Sequence, residues 1–418
     1  MSSTDPIHQL LDETVRRERG WLISSLVSKF GPAKVDLAED VAQDAIVKAL
    51  ATWPYKGVPD NPRAWLRRVA GNAAIDRVRR SAREFGVDDD WDFASHEPDV
   101  ITPSLSDPEL DLMVLCCDPA IEPKDQLFLA LKTVCGFTAA ETAALFFMRE
   151  DALSQRLARA KRKLKAQSGD LARYPTRFAL TARLPQLLKV IYLMFAWGYL
   201  PRRGDVLFRE DICREALRLS DGLLAQTDGE AAGHHALHAL LLFQMSRLPA
   251  RVSASGKLAT LEDQDRSRWD PEMIFDGFQQ LEAARSSQTL TRYHFEAGIA
   301  SLHAQAPDWS QTQWAAISRL YELLSAAAPS SAVLVNWAVS LILMGQLETA
   351  QSKLQEAKEM AGTDQLPAFH LATAKLADLA GDKAAAQKAR ETAKTCQVSG
   401  PVADHIDQEL SLTGVISY

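Results

Sequence analysis

The segment Phe137–Leu164, FTAAETAALFFMREDALSQRLARAKRKL, decides how the chain is interpreted. Thr138 and Glu141 have the spacing of a capping box, in which each side chain bonds to the backbone of the other residue. A turn is expected near residues 147–150, before a second helix with one apolar face. The residues of that face are Leu153, Leu157, Ala160 and Leu164. The segment therefore predicts a helix-turn-helix.

The opposite face of the second helix is polar and cationic. Its outward residues are Asp151, Gln155, Arg159 and Arg162, with Ser154, Lys161 and Lys163 at the flanks. Between Phe146 and Ala166 there are seven Lys/Arg against two Asp/Glu. In a major groove, the first residues of such a helix contact bases and later cations hold phosphates. This favours DNA binding, while a structural helix pair stays open as the alternative.

A second basic module lies upstream, at Pro62–Arg83. Wound at 3.6 residues per turn, this segment is one helix with two distinct faces. The apolar face contains Leu66, Val69, Ala70 and Ala73, and the opposite face contains Arg68, Asn72, Arg79 and Arg83. Such a stripe can follow phosphates, although a lone basic helix face is also compatible with an ordinary solvated surface.

The residues before this helix complete the module. We expect Trp53–Pro62 to be a Pro- and Gly-rich loop able to stack or enclose an unpaired base. Asp36–Leu50 is predicted to be an amphipathic helix with Leu37, Val41, Ala45 and Leu50 toward a core. Its outer residues are then Glu39, Asp40, Gln43, Asp44 and Lys48.

The two basic modules are separated by an acidic stretch. From Glu84 to Asp111 there are ten Asp/Glu and no Lys/Arg, with prolines at 98, 103 and 108. No helical periodicity occurs before residue 108, so residues 84–108 are predicted to be an extended acidic linker.

Beyond residue 174 the chain shows only helical patterns, and strand signals are almost absent throughout. The prediction is an all-α protein. Gly345-Gln346 followed by Ala350 recurs as Gly381-Asp382 followed by Ala386, an offset of 36 residues, close to the period of about 34 of tetratricopeptide units. We therefore expect stacked helices at the C-terminal end.

The composition argues against several classes of protein, namely membrane-spanning, secreted and disulfide-stabilised ones. With 418 residues and 47% hydrophobic residues, the chain can form several domains with buried cores. Leu187–Leu200, the longest apolar run, is too short to cross a bilayer, and Met1–Leu10 does not resemble a secretory signal. The five cysteines have no framework spacing, so disulfides and structural zinc are not expected. We expect a cytoplasmic protein.

Three features could suggest an enzyme or a ligand site. His234 and His238 are spaced i, i+4, but no third metal ligand is evident nearby, and buried histidines are the simpler interpretation. Glu262–Arg266 favours a structural ion-pair and capping network over a small ligand pocket. Cys116 and Cys117 are expected to fill core space. No nucleotide-binding or hydrolase motif is found, so we predict no enzyme activity, cofactor or metal site.

The whole arrangement resembles bacterial extracytoplasmic-function (ECF) sigma factors. LAEDVAQDAIVKAL (37–50) and NPRAWLRRVAGNAAIDRVRR (61–80) resemble the two functional helices of sigma region 2, and the Phe137–Leu164 segment resembles the region 4 reader. LPQLLKVIYLMFAWGY, FREDICREALRL and LEDQDRSRWD resemble the long extension of one ECF group whose C-terminal part is tetratricopeptide-like. The chain departs from this family at Arg149 and Asp151, where its members are expected to have a Pro and a small residue. The −35 sequence that those members recognise is therefore not assigned to this protein.

The resemblance implies domains and partners. The domains are region 2 (1–83), the acidic linker (84–108), region 4 (109–168), a family-specific helical extension (175–290) and tetratricopeptide-like repeats (291–418). The implied partners are the clamp and flap of core RNA polymerase, the duplex −35 element and the melted −10 strand, with no membrane partner. The resemblance further implies that the C-terminal helices contact the sigma domains and control their activity.

The resemblance also assigns residues. Polymerase contacts are Glu39, Asp40, Gln43, Asp44 and Lys48. Contacts to the −10 element are Tyr55, Lys56, Asn61, Arg63, Arg67, Arg68, Asn72, Asp76, Arg79, Arg80 and Arg83. Contacts to the −35 element are Thr138, Asp151, Ser154, Gln155, Arg156, Arg159, Arg162 and Lys163. Two other classes stay open: a one-component helix-turn-helix regulator with a sensory tail, and a tetratricopeptide scaffold.

Overall fold

A computed structural model describes residues 6–84, 107–146, 148–166, 177–201, 206–227, 231–253, 255–286 and 289–396. Within these ranges the fold is helical, and the one β-type pairing is an isolated bridge between Val252 and Leu258. The all-α prediction is confirmed. The chain divides into two compact units, Met1–Met194 (unit 1) and Phe195–Tyr418 (unit 2).

Unit 1 contains the two basic modules. Its helices are α1 (Pro6–Phe30), α2 (Val35–Lys56), α3 (Pro62–Glu84), α4 (Pro108–Cys116), α5 (Pro123–Thr133), α6 (Ala139–Leu145), α7 (Glu150–Ala166) and the first part of α8 (Arg177–Tyr199). The single helix predicted for residues 62–83 is confirmed. The acidic linker lies outside the described residues apart from its ends.

Local chemistry sets the starts of the shorter helices. Asp107 caps α4 by accepting from the backbone N–H of Glu109 at 2.8 Å, and Glu122 caps α5 in the same way at Lys124. At α6 the capping box is confirmed: Glu141 N–H donates to Thr138 Oγ1 at 3.1 Å, and Thr138 N–H donates to Glu141 Oε2 at 2.8 Å. These bonds satisfy N–H groups that have no partner within the helix.

The end of α2 differs from the sequence prediction. Helix α2 continues through Pro54 to Lys56, so the expectation of a loop beginning at Trp53 is wrong. Trp53 is 2% exposed and packs edge-to-face on Trp65 at 5.5 Å between ring centroids. This burial holds the helix past the proline. The turn begins at Gly57, whose φ of +81° favours glycine.

Helices α1 and α2 contact the helices α4, α5 and α7 directly. Gly20 of α1 lies so close to the end of α5 that a Cβ atom there would be 1.8 Å from the carbonyl oxygen of Val134. Only glycine allows this approach. Cys116 and Cys117 are buried in the same unit, as expected, and burial raises the pKa of Cys117 to about 12.

Unit 2 begins within α8 and is helical in its described residues. Its further helices are α9 (Glu210–Leu224), α10 (Ala232–Ser246), α11 (Pro271–Ala284), α12 (Arg292–Gln305), α13 (Trp314–Ala327), α14 (Ser331–Leu343), α15 (Leu347–Lys358), α16 (Pro367–Leu379) and α17 (Lys383–Thr395). Among the described residues, no helix is long and apolar enough to cross a membrane.

The 36-residue repeat corresponds to two helical hairpins, α14–α15 and α16–α17. Gly345 and Gly381 occupy equivalent turns with φ of +74° and +83°. Ala350 and Ala386, five residues later, are both fully buried. A small residue there lets the second helix approach the first. Whether these hairpins are a tetratricopeptide array stays a prediction.

Candidate nucleic-acid interface

Helix α3 presents an unpaired cationic face. Its exposed residues are Arg67, Arg68, Asn72, Asp76, Arg79 and Arg80. Leu66, Ala70 and Ala74 on the opposite face are at most 1% exposed, which fixes the rotation of the helix. Within the described part of the chain, none of these four exposed arginines pairs with a carboxylate. They therefore remain available to phosphates. The Arg83 side chain lies outside what the structure describes.

The first turn of α3 has a structural task as well. Asn61 Oδ1 accepts from the backbone N–H of Ala64 at 2.9 Å and caps the helix. Arg63 pairs with the buried carboxylate of Glu18, and its guanidinium carbon lies 5.1 Å from the Trp21 ring. These contacts fix the start of α3 on α1, a role that the sequence did not reveal.

An exposed aromatic ring lies shortly before α3 in the chain. Tyr55, in the last turn of α2, is 89% exposed, and the neighbouring Lys56 is exposed too. An exposed ring beside a cation suits stacking on an unpaired base. Among the positions predicted for the −10 contact, the exposed ones that are not engaged elsewhere in the described part of the chain are Tyr55, Lys56, Arg67, Arg68, Asn72, Asp76, Arg79 and Arg80.

The polar face of α2 is largely as predicted. Asp40, Gln43, Asp44 and Lys48 are exposed. Arg77 of α3 reaches Asp44 at 2.5 Å and Asp40 at 3.5 Å, a connection between α2 and α3 that sequence analysis missed. Leu50 was expected in the core but is 37% exposed, because Ile46, Ala49 and Trp53 form the buried stripe instead.

Helix α7 buries the face that the sequence predicts to be apolar. Leu153, Leu157, Ala160 and Leu164 are each at most 5% exposed, which anchors α7. The exposed residues of α7 include Asp151, Ser154, Gln155, Arg159, Arg162 and Lys163. Arg149 pairs with Asp151 at 3.0 Å at the start of α7, where a DNA-reading helix contacts base edges. Thr138 is exposed and is occupied as the cap of α6.

Arg156 differs from its neighbours on α7. Its Nε donates to Asp125 at 2.5 Å, its Nη2 lies 3.3 Å from Glu122, and its guanidinium carbon is 4.9 Å from the Phe128 ring. The side chain is only 24% exposed. Arg156 therefore binds α7 to α5, so the expectation that it faces DNA does not fit its position in this structure.

Glu39 was expected on the outer face of α2 and lies elsewhere. Its side chain is 12% exposed because α5 and α7 cover it. Lys161 Nζ donates to Glu39 Oε2 at 2.6 Å, Lys132 Nζ lies 3.6 Å from the same oxygen, and Thr133 Oγ1 donates to Oε1 at 3.2 Å. In this conformation the carboxylate is occupied within the chain.

Asp36 extends this contact by one turn. Lys161 Nζ lies 3.2 Å from Asp36 Oδ1, and Lys165 pairs with Oδ2 of the same carboxylate. We call the five residues of this network the α2–α7 ion-pair cluster; they are Asp36, Glu39, Lys132, Lys161 and Lys165. It joins the helix predicted to dock on polymerase to the helix predicted to read DNA.

The electrostatics of the cluster are self-consistent. Burial raises the pKa of Glu39, but Lys132 and Lys161 outweigh it and hold that pKa below its ordinary value of 4.5. Burial lowers the pKa of Lys161, but Glu39 and Asp36 reverse this and hold it above 10.5. Both groups are therefore charged near neutral pH.

The histidines of unit 2 form a small buried network. Ser220 Oγ lies 3.2 Å from His234 Nε2 and 2.9 Å from His238 Nδ1. Burial lowers the pKa of His234 to about 3 and that of His238 to about 4, so both rings are neutral. In the described ranges no group of three or more His, Cys, Asp or Glu could hold a metal ion.

Comparison with known proteins assigns the N-terminal module. Residues 14–84 match the model of sigma-70 region 2, the segment that contains both the α3 face and the polar face of α2. This is a sigma-factor-like protein. The match supports a role in transcription initiation and interaction with core RNA polymerase and promoter DNA in general.

Two further comparisons concern the rest of the sigma-factor-like chain. Residues 183–285 match a family of unknown function, DUF6596. An uncharacterized protein of Rhizobium meliloti (strain 1021) is 35% identical over 351 residues, which cover 78% of this chain and 80% of the relative. The chain belongs to the same family as that protein. No solved structure matches.

Proposed function

We propose that this protein is an ECF-type sigma factor that recruits core RNA polymerase to particular promoters. The observation that carries the proposal is the presence of two exposed cationic helix faces in one chain, on α3 and on α7, of which the first belongs to a sigma-70 region 2 domain. Two separate DNA-facing helices suit a promoter with two elements.

The roles follow from position. The α3 face and the Tyr55 ring hold the melted −10 strand, where stacking offsets the cost of a few kcal/mol for removing a base from the duplex. The exposed residues of α7 contact the −35 duplex: Asp151, Ser154 and Gln155 lie near its N-terminus, where bases are read, and Arg159, Arg162 and Lys163 further along hold phosphates. The α2 residues Asp40, Gln43, Asp44 and Lys48 contact the polymerase.

The α2–α7 ion-pair cluster holds together two helices that are proposed to bind different partners. Glu39 on the polymerase-docking helix pairs with Lys161 on the DNA-reading helix, and Asp36 on the first helix pairs with Lys165 on the second. Docking of Glu39 on polymerase therefore requires the two modules to separate. The C-terminal helices are proposed to control transcription by the sigma modules, as the resemblance implies.

One binding experiment separates the proposal from a one-component regulator. Full-length protein is titrated onto duplex promoter DNA, obtained from a selected random pool, with and without core polymerase. A sigma factor binds the promoter tightly only with polymerase present, and the Arg79→Ala variant weakens that complex. Lys124→Ala removes an exposed cation from α5 and is the matched control. Tight, sequence-specific binding without polymerase would favour the one-component regulator.

Truncation is a poor test of C-terminal control in this chain. Arg183 of α8 pairs with Asp118 of the helix-turn-helix module at 2.5 Å, and both side chains are largely buried. A chain ending at Ser168 loses this pair, so any fall in activity would mix regulation with damage to unit 1. A chain ending after Met194 keeps the pair and is the better comparison with full-length protein.

A further inference from the structure

Unit 2 buries two arginines that have no carboxylate partner. Arg247 and Arg251 are 6% and 4% exposed. Arg247 Nε donates to Gln244 Oε1 at 3.0 Å, and Arg251 donates to the carbonyl of Tyr199 while lying 3.8 Å from its ring. Neither arginine is paired with an acid within the described residues. Buried charges are normally compensated, so two buried arginines without a paired acid are unusual.

The paired arginines of the same unit show the contrast. Arg209 bonds to Asp211 at 3.1 Å, and Arg390 bonds to Asp378. Both are partly buried, and each has its carboxylate. The fold thus supplies acids to other enclosed arginines. The missing acid beside Arg247 and Arg251 is a local property.

Arg266 is held rigidly in the same unit. Its Nη1 donates to the carbonyl oxygens of His303 and, at 2.7 Å, Ala306, and its guanidinium carbon lies 4.8 Å from the Trp269 ring. Its Nη2 is buried without a hydrogen-bond partner. Asp308 attracts the Arg266 guanidinium without pairing with it. The Asp308 carboxylate is exposed and accepts hydrogen bonds from Ser310 and Gln311 instead.

Three more buried polar atoms in this part of the chain lack a partner. They are Trp269 Nε1, His303 Nδ1 and Gln264 Oε1. Trp269 is 6% exposed and Gln264 is 9% exposed, and His303 is the residue whose carbonyl anchors Arg266. Each unsatisfied buried group costs about 1–3 kcal/mol, so several such groups in one segment of fold need an explanation.

Aromatic side chains adjoin these atoms. The His303 ring packs on Trp314 at 5.5 Å between centroids, and Trp314 packs edge-to-face on Trp309 at 4.6 Å. Trp309 and Trp269 belong to one hydrophobic cluster. Apolar and aromatic groups with a few orienting polar groups are typical of small-molecule sites.

The chemistry of the free groups selects the ligand class. Three of these four groups are donors: the guanidinium N–H of Arg266 and the indole N–H of Trp269 can only donate, and the imidazole nitrogen of His303 can donate, so a ligand must accept from them. The fourth, Gln264 Oε1, can only accept and is not part of this donor set. This donor set repels metal cations. We propose that unit 2 binds a small organic anion, a carboxylate or a phosphate monoester, at a site formed by Arg266, Trp269 and His303 with Arg247 adding positive charge. The proposal does not depend on the transcription role.

The test is a binding titration of the full-length chain at constant ionic strength. The probes are benzoate, phenyl phosphate and inorganic phosphate, and the neutral isostere benzamide is the control for benzoate. Calorimetry and the thermal midpoint both report binding. We expect saturable binding of at least one of these anions and none of benzamide. Preference among them then distinguishes a carboxylate site from a phosphate site.

Two variants localise the binding. Arg266→Gln lowers the affinity for the anion by about tenfold or more, because a hydrogen bond from a charged donor is lost. Trp269→Phe removes the unpaired N–H together with the five-membered ring, so the anion binds more weakly, and the smaller side chain in the hydrophobic cluster costs the free protein some stability. Arg285→Gln, at an exposed residue directly after α11, is the matched control and leaves affinity unchanged.

Three results would overturn the proposal. One is that no probe binds saturably, which would leave ordered water as the partner of these buried groups. Another is that benzamide binds as tightly as benzoate. The last is equal anion affinity in wild type and Trp269→Phe, the variant that answers the question even if Arg266→Gln does not fold.

Discussion

Lys161 Nζ on α7 lies 2.6 Å from Glu39 Oε2 on α2, although the two residues are 122 positions apart in the chain. The contact joins two helices that must act on different partners if the protein is a sigma factor. Because both side chains are less than one-fifth exposed, the bond is shielded from solvent and is stronger than an ordinary surface pair.

Glu39→Gln and Lys161→Gln should each destabilise unit 1. Either change removes one opposite charge from the largely buried cluster and leaves the other with its remaining partner, Asp36 for Lys161 or Lys132 for Glu39, which costs about 1–3 kcal/mol, measured by chemical denaturation. The double variant should recover part of the loss. Arg149→Gln, which breaks an exposed pair with Asp151, is the control and should change stability by less than about 0.5 kcal/mol. Equal effects of all three single variants would contradict a shielded cluster.

The cluster should also make stability depend on pH in a defined direction. The lowered pKa of Glu39 gives stability that is complete above the ordinary value of 4.5 and is lost as pH falls through the lowered folded value. The raised pKa of Lys161 gives stability that is complete below 10.5 and is lost as pH rises through the higher folded value.

The contribution of Glu39 at low pH is measured by comparing the free energy of unfolding of the wild type with that of Glu39→Gln as a function of pH. The stability difference should be constant near neutral pH, shrink as pH falls below 4.5 and vanish once pH is below the lowered folded pKa of Glu39. Asp36, whose pKa is also lowered, is present in both proteins. A difference that grows on acidification would have the wrong sign.

Gly20→Ala should loosen the packing of α1 against the end of α5. The added Cβ would lie 1.8 Å from the Val134 carbonyl oxygen, so the backbone must move, at a cost of about 1–3 kcal/mol. Hydrogen exchange should rise around residues 20 and 134. Gly71→Ala in α3 is the matched control, since nothing lies within 4 Å of its Cβ, and it should stabilise by about 0.5–1 kcal/mol. Destabilisation by Gly71→Ala would contradict the packing described.

Arg156 and Arg159 should have separable roles although they lie on one helix. Arg156→Gln loses its bonds to Asp125 and Glu122 and should lower the thermal midpoint. Arg159→Gln should leave stability within about 0.5 kcal/mol and weaken binding of the −35 duplex in the polymerase complex. If Arg156→Gln reduced promoter binding without loss of stability, its assignment to the α5–α7 contact would be wrong.

Local periodicity predicted much of this fold and site. The four apolar residues of α7, the capping box at Thr138 and the outward arginines of α3 follow from spacing within one helix, and the structure has them as expected. The same reasoning found the repeated glycine turns at 345 and 381.

The expectations that did not fit the structure concern residues whose contacts lie on other helices. Glu39 has the position of a surface residue on α2, and only the approach of α5 and α7 buries it. Arg156 is drawn to Phe128 and Asp125 of α5, which its own helix does not reveal. Pro54 suggested a loop, but Trp53 packing on Trp65 carries the helix to Lys56.

The most direct test of the central claim is run-off transcription with purified core polymerase on promoters selected from a random pool. We predict promoter-specific transcripts with the full-length chain, strong loss with Arg79→Ala and full activity with Lys124→Ala. Failure of the full-length chain to direct any polymerase-dependent transcript, together with tight binding to duplex DNA alone, would contradict the account.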